Sequence, residues 1–218
     1  MGKLYLGTRE ITPLIIQQKY GANITNFLGN VDNNGVLSLP TGNFDLSFDG
    51  VIDLGYRALG EKFKYTKVKN VYFPDLETIS GNYALYATFY SDSLTSISFP
   101  KLETISGQNA LTSALEYSGI KTCTFPKLSL ISGANAMNRC FAYNGNLEDV
   151  YFPALTTSSF STNTNQFTNI VSGTGNSRIH TLHFPSNLTS TISGLSGYPL
   201  FGGTSGYVVL AFDLPATS

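Results

Sequence analysis

Residues 99–111 read FPKLETISGQNAL, and residues 73–85, twenty-six positions earlier, read FPDLETISGNYAL. A third version, FPKLSLISGANAM, occupies residues 125–137, so the offset of 26 is a period. A unit of this size cannot bury its apolar face alone. The period therefore predicts an array in which neighbouring units cover one another, strand beside strand.

Aligned on the proline, the copies show what each position is for. Apolar residues stand two and five places on, at Leu76 and Ile79, Leu102 and Ile105, Leu128 and Ile131. A glycine follows at place seven, in Gly81, Gly107 and Gly133, where the reading is a tight turn with positive φ. Next come Ala84, Leu85, Thr88 and Phe89, matched by Ala110, Leu111, Ala114 and Leu115 and by Ala136, Met137, Cys140 and Phe141. Spacing of one, four and five predicts one face of a helix of at most about three turns. The third element is Leu94-x-x-Ile97-x-Phe99-Pro100, repeated as Ile120-x-x-Cys123-x-Phe125-Pro126 and Leu147-x-x-Val150-x-Phe152-Pro153. Its last apolar residues alternate with a polar one, which predicts a strand with one face buried.

Worn copies extend the template. Upstream, Gly55, Ala58, Leu59, Phe63 and Val68 keep the separations, in a unit running from Leu39-Pro40 and lengthened by what reads as an inserted strand over residues 44–48. Downstream, Ile179-x-x-Leu182-x-Phe184-Pro185 and Val209-x-x-Phe212-x-Leu214-Pro215 close two more units. From Pro40 the proline intervals are 34, 26, 26, 27, 32 and 30. Regular in the middle and irregular at the ends is the pattern of a capped stack.

The run L-x-x-I-x-[FI]-P followed by L-x-x-I-x-x-x-A-[FL] resembles the leucine-rich repeat of the BspA type, common on bacterial surfaces and in bacteriophages, over about Leu37 to Pro215. The period of 26 to 27 is a few residues longer than usual for that family, and Leu85, Leu111 and Met137 stand where it prefers Phe. The resemblance implies an α/β repeat solenoid over residues 36–218, with one parallel-stranded face, short helices or turns on the other, and binding without catalysis or a cofactor. Residues 1–35 fall outside the repeat. Their opening, KLYLGTREITPLIIQQ, predicts a hairpin or short strand pair followed by an Asn- and Gly-rich loop. It loosely resembles the N-terminal attachment segments of phage virion proteins. That likeness implies a virion location, other virion proteins as partners, a bacterial cell-surface receptor or glycan as target, and a homotrimer. Two alternatives stand beside it: a structural capsid or tail decoration protein, and a cellular surface adhesin exported by a route not visible in the sequence.

Composition narrows the classes. Charged residues are 12% of the 218, the net charge is −1, and no Lys/Arg run exceeds two, so no nucleic-acid partner is expected. The longest apolar runs fall far short of the roughly 20 residues that span a bilayer, so no membrane insertion is expected. The first residues break their apolar character at Gly7, Thr8, Arg9 and Glu10, unlike a secretory signal. Cys123 and Cys140 fall in the slots of Ile97 and Ala114 and are expected to be buried, inert thiols.

Catalytic patterns are weak. His180 and His183 could be joined by Asp149 as metal ligands, but the favoured reading makes both histidines surface positions flanking Leu182 and Phe184. Glu77 and Glu103 recur but give way to Ser129 in the third copy, as solvated turn residues would. No GxSxG, HExxH or phosphate-binding glycine loop is present. An enzyme is not expected.

Strand alternation nominates the binding surface. The residues between the buried ones form one outward column, Tyr72, Ser98, Thr124, Tyr151, His183 and Asp213, and a second, Asn70, Ser96, Thr122, Asp149, Thr181 and Ala211. Hydroxyls, amides and two tyrosines suit a neutral polar target such as a glycan. An ordinary solvated sheet face fits equally well. A second candidate is the Ser/Thr/Asn-rich stretch 156–178, either a projecting recognition loop or a long connection packed by Phe160, Phe167 and Ile170.

Overall fold

The computed structural model describes residues 4–6, 9–11, 23–25, 42–91, 93–160, 165–173, 179–193, 201 and 208–217. Within them the chain is a parallel-strand β-solenoid with few helices. β1 (Leu4–Leu6) and β2 (Arg9–Ile11) form an antiparallel pair, the hairpin expected of the N-terminal segment. β3 (Asn23–Thr25) runs antiparallel against β4 (Phe44–Ser47). From β4 onward the pairing is parallel, through β5 (Val68–Tyr72) to β7 (Ser96–Ser98). A second sheet on the same side holds β9 (Thr122–Thr124), β11 (Asp149–Tyr151), β12 (His180–Pro185) and β13 (Val208–Leu214), in that order. The ladder is unregistered between β7 and β9, where Gly119 N–H donates to Leu94 O at 2.8 Å. A third sheet stacks the two-residue strands β6 (Thr78–Ile79), β8 (Thr104–Ile105) and β10 (Leu130–Ile131). Among the described residues no helix is long and apolar enough to cross a membrane.

The repeated proline makes the first corner of each coil. Leu102 N–H reaches Phe99 O and Leu128 N–H reaches Phe125 O, so Pro100 and Pro126 sit second in four-residue turns, where their fixed φ fits. Residues 44–48 are the first strand of the array and not an insertion. Leu46 pairs with Val71, and Phe48 takes the Phe73 slot with its ring stacked at 4.4 Å. Gly50, with φ 74°, replaces the proline's effect at that corner.

The core is a column of rings. Phe48, Phe73, Phe99, Phe125, Phe152 and Phe184 stack in succession, with centroids 5.2 to 5.5 Å apart after the first pair. Phe212 continues the column at 6.1 Å from Phe184. Both cysteines are free and buried, and burial alone pushes the Cys123 thiol up to about 12.

The expected helix is absent. Across residues 82–91, 108–118 and 134–144 the backbone forms a spiral in which a left-handed residue recurs every four positions: Tyr83 and Ala87; Asn109, Ser113 and Tyr117; Asn135, Arg139 and Tyr143. Alternate N–H groups close local turns, as Thr112 to Asn109 O and Ala114 to Leu111 O. The others reach the next coil, as Leu111 to Ala136 O at 2.7 Å and Leu115 to Cys140 O at 3.0 Å. A helix would spend every N–H on its own carbonyls and leave the coils unconnected along this side. The described helices lie elsewhere: 3-10 turns at Thr157–Phe160 and Ser186–Leu188, and a five-residue α-helix at Thr189–Ser193. The α/β architecture implied by the resemblance is thus replaced, in the repeats, by strands and turns.

The glycine column also has a cause other than the expected one. Gly81, Gly107 and Gly133 lack positive φ. A Cβ on Gly107 would lie 2.1 Å from Gly81 O, and one on Gly133 the same distance from Gly107 O, because the coils meet here backbone on backbone. Gly55 begins the column with nothing within 4 Å.

Gly107→Ala should lower stability by about 1 to 3 kcal/mol, whereas Gly55→Ala should shift the thermal melt little; equal effects would contradict backbone-on-backbone stacking. Ser113→Gly relieves a left-handed serine, so it should be neutral or stabilise by up to about 1 kcal/mol, where a helix would lose about 1 kcal/mol. Chemical denaturation of the two proteins decides between these signs.

Candidate functional site

The outward columns form as predicted over most of their length. Asn70 lies opposite Ser96 and Tyr72 opposite Ser98. On the second sheet Thr124, Tyr151 and His183 are neighbours in one row, and Thr122, Asp149 and Thr181 in the other. At β13 the expected register slips. Ala211 pairs with His183 and Val209 with Thr181, and an irregularity follows between His183 and Pro185. Asp213 therefore reaches His183 diagonally and is not its direct ladder partner.

Several of these side chains bond to one another along the stack. Asp45 Oδ1 accepts from Asn70 N–H and Nδ2, and Asn70 Oδ1 accepts from the Ser96 hydroxyl at 2.7 Å. Asn70 is thus a stitch between coils. Tyr72, 43% exposed, and Ser98 remain on the surface beside it. On the second sheet the Tyr151 ring stacks on the His183 imidazole with centroids 4.2 Å apart. His183 Nε2 lies 3.1 Å from Asp149, and Nδ1 lies 2.9 Å from Asp213.

An imidazole held by carboxylates on both nitrogens donates from both, which is the protonated form. Burial pulls the His183 pKa down, but the hydrogen bonds to Asp149 and Asp213, and their charges, outweigh it and hold the pKa above the ordinary histidine value. The pair His180 and His183 does not converge on a metal. His180, expected at the surface, is buried, with its Nδ1 2.8 Å from Leu147 O, because it takes an inward position of β12. Among the described residues no cluster of three His, Cys, Asp or Glu is arranged to hold a metal ion.

The second candidate, 156–178, is mostly another coil. Phe160, Phe167 and Ile170 are buried. The carbonyls of Gln166, Thr168, Ile170 and Ser172 accept from Met137, Arg139, Phe141 and Tyr143, the spacing of the turn spiral. Residues 161–164 and 174–178 lie outside the described residues.

One surface was not anticipated. Tyr65, Tyr90, Tyr117 and Tyr143 form a column on the turn-spiral side, with successive centroids 5.4, 4.9 and 4.6 Å apart. Lys64 Nζ lies over the rings of Tyr65 and Tyr90, and the Arg139 guanidinium over Tyr143. Arg139 also meets the buried Glu116 at 2.7 Å. Burial first, then Tyr117 and the Glu116 charge, push the Tyr90 phenol up to about 12. The signal was present in the sequence: the four tyrosines recur at intervals of 25, 27 and 26.

The His183 bridge gives a pH prediction. Its raised pKa means that its contribution to stability is complete below the ordinary value of about 6.5 and is lost as pH rises through the folded-state value. The melting temperature of the parent should exceed that of His183→Gln most at about pH 5.5 and least at about pH 8.5. A difference that stays constant or grows with pH would contradict a protonated bridge.

No protein-family model matches this sequence, and no curated protein and no solved structure matches it significantly.

Proposed function

We propose that the chain is a non-enzymatic recognition module whose outward strand face engages a bacterial cell-surface receptor or glycan. The observation that carries this reading is a set of phenols and hydroxyls held at coil spacing by paired strands, Tyr72 beside Ser98 on one sheet and Thr124 beside Tyr151 on the next. Such a rigid set loses little entropy on binding, and aromatic rings beside hydroxyls suit sugar C–H and O–H groups together. Placement on a phage tail or virion, and kinship with BspA-like leucine-rich repeats, are parts of the proposal that rest on the sequence resemblance alone. So does the homotrimer.

The structural alternative, a decoration protein built for self-assembly, draws on a different observation. β13 ends its sheet, and among the described residues no strand pairs with its outer edge. An open edge of this length is a template for another strand.

Tyr72 is the anchor of choice for a test, because it is exposed and free of the Tyr151–His183 stack. Tyr72→Ala should weaken binding to bacterial cells or to an arrayed glycan by about 1 to 2 kcal/mol while leaving the melting temperature nearly unchanged. Unchanged binding in both Tyr72→Ala and Tyr151→Ala would remove the strand face as the receptor site and favour the self-assembly reading.

A further inference from the structure

The tyrosine column is accompanied by a concentration of charge. Residues 57–69 carry Arg57, Lys62, Lys64, Lys67 and Lys69 against the single acid Glu61, a net of 5 − 1 = +4. The chain as a whole is −1, so the remainder stands at −1 − 4 = −5. The positive end therefore belongs to the coil that begins the column. An open groove of about 390 Å³ runs there, lined by Tyr65, Thr66, Lys67, Tyr90, Ser91 and Tyr117.

The ring geometry differs along the column. Tyr117 and Tyr143 lie parallel, 6° apart, and hide facing surfaces from each other. Tyr65 and Tyr90 meet at 77°, edge to face, so their corner leaves ring surface open, and Tyr65 is 72% exposed. Lys64 Nζ stands 5.1 and 4.9 Å from these two ring centroids, and exposed Lys67 forms part of the wall. The acid nearest Lys64 is Glu61, 4.0 Å from its Nζ and also 3.6 Å from Arg57, while Glu116, farther along the column, is neutralised by Arg139.

We propose that this groove is a second binding site, which takes an acidic polysaccharide through uronate carboxylates on Lys64 and Lys67 and sugar C–H groups on the Tyr65/Tyr90 corner. The groove combines the three features that such a chain needs. Aromatic surface covers the apolar face of a pyranose, ammonium groups meet its carboxylate, and the phenols of Tyr90 and Tyr117 lie within the same wall to meet its hydroxyls. A neutral glycan would leave the lysines unused, and a flat protein surface would leave the groove unfilled. The site lies on the turn-spiral side and does not depend on the strand face.

The test is titration calorimetry of the full chain with polygalacturonate, with dextran and poly(U) as the neutral and nucleic-acid comparators. Polygalacturonate should bind, more weakly as salt is added, and the other two should not. Lys67→Glu and Tyr65→Ala, both at exposed positions, should each weaken it by about tenfold or more with unchanged melting temperature, and Lys67→Gln should fall between parent and Lys67→Glu. Tyr72→Ala should leave this binding intact, which separates the groove from the strand face. Absence of polygalacturonate binding, indifference to both substitutions, or equal binding of dextran or poly(U) would overturn the proposal.

Discussion

Backbone hydrogen bonding from one coil to the next is the constraint on which the rest of this molecule depends. It runs through the strands, as Phe73 N–H to Ser98 O, and also through the turn spirals, as Phe89 N–H to Ala114 O. Each coil must therefore keep the same path as its neighbour at strand-to-strand spacing, whatever its local conformation. Residues at equal places in successive copies are forced into contact. The phenylalanine column, the asparagine and aspartate stitches, the glycine column and the tyrosine column are four consequences of that one requirement.

The requirement explains why the third side is a spiral of turns. Buried backbone groups need partners, and an α-helix satisfies them internally. A helix is also about 10 Å or more across with its side chains, too wide to stack at the spacing of paired strands. The four-residue spiral is compact enough because it turns every second N–H toward the next coil. Its cost is left-handed φ at residues such as Tyr117 and Arg139, a strain of about 1 to 2 kcal/mol each that the inter-coil bonds and core packing offset.

Much of the architecture was legible in the sequence, and the failures have identifiable causes. The strands Ser96–Ser98, Thr122–Thr124 and Asp149–Tyr151 fall where the alternation placed them, because period two survives any change in the rest of the coil. Ala110, Leu111, Ala114 and Leu115 misled because periods of 3.6 and 4.0 put the same residues on one face over so short a run. Gly81 misled because a glycine demanded by close approach looks like one demanded by φ. The slip at β13 accompanies an irregular register between His183 and Pro185, which leaves no mark in apolar spacing. Of the candidate site, the rows containing Tyr72, Ser98, Thr124 and Tyr151 were visible. The second carboxylate on His183 was foreseen only as a neighbour in its row, and the burial of His180 was missed because histidine is not counted among inward residues. The tyrosine column has a clear period, but a helix over the neighbouring residues gives no reason for the four rings to stack.

Hydrogen-bond partners in the turn spiral test the central claim most directly. Through-hydrogen-bond scalar couplings, measured by NMR on the deuterated chain, report which carbonyl each amide reaches. Coil-to-coil stacking predicts couplings from Leu85 N to Ala110 C′, from Leu111 N to Ala136 C′ and from Leu115 N to Cys140 C′. Couplings from these amides to the carbonyl four residues earlier in the same segment would show a helix there and contradict the account.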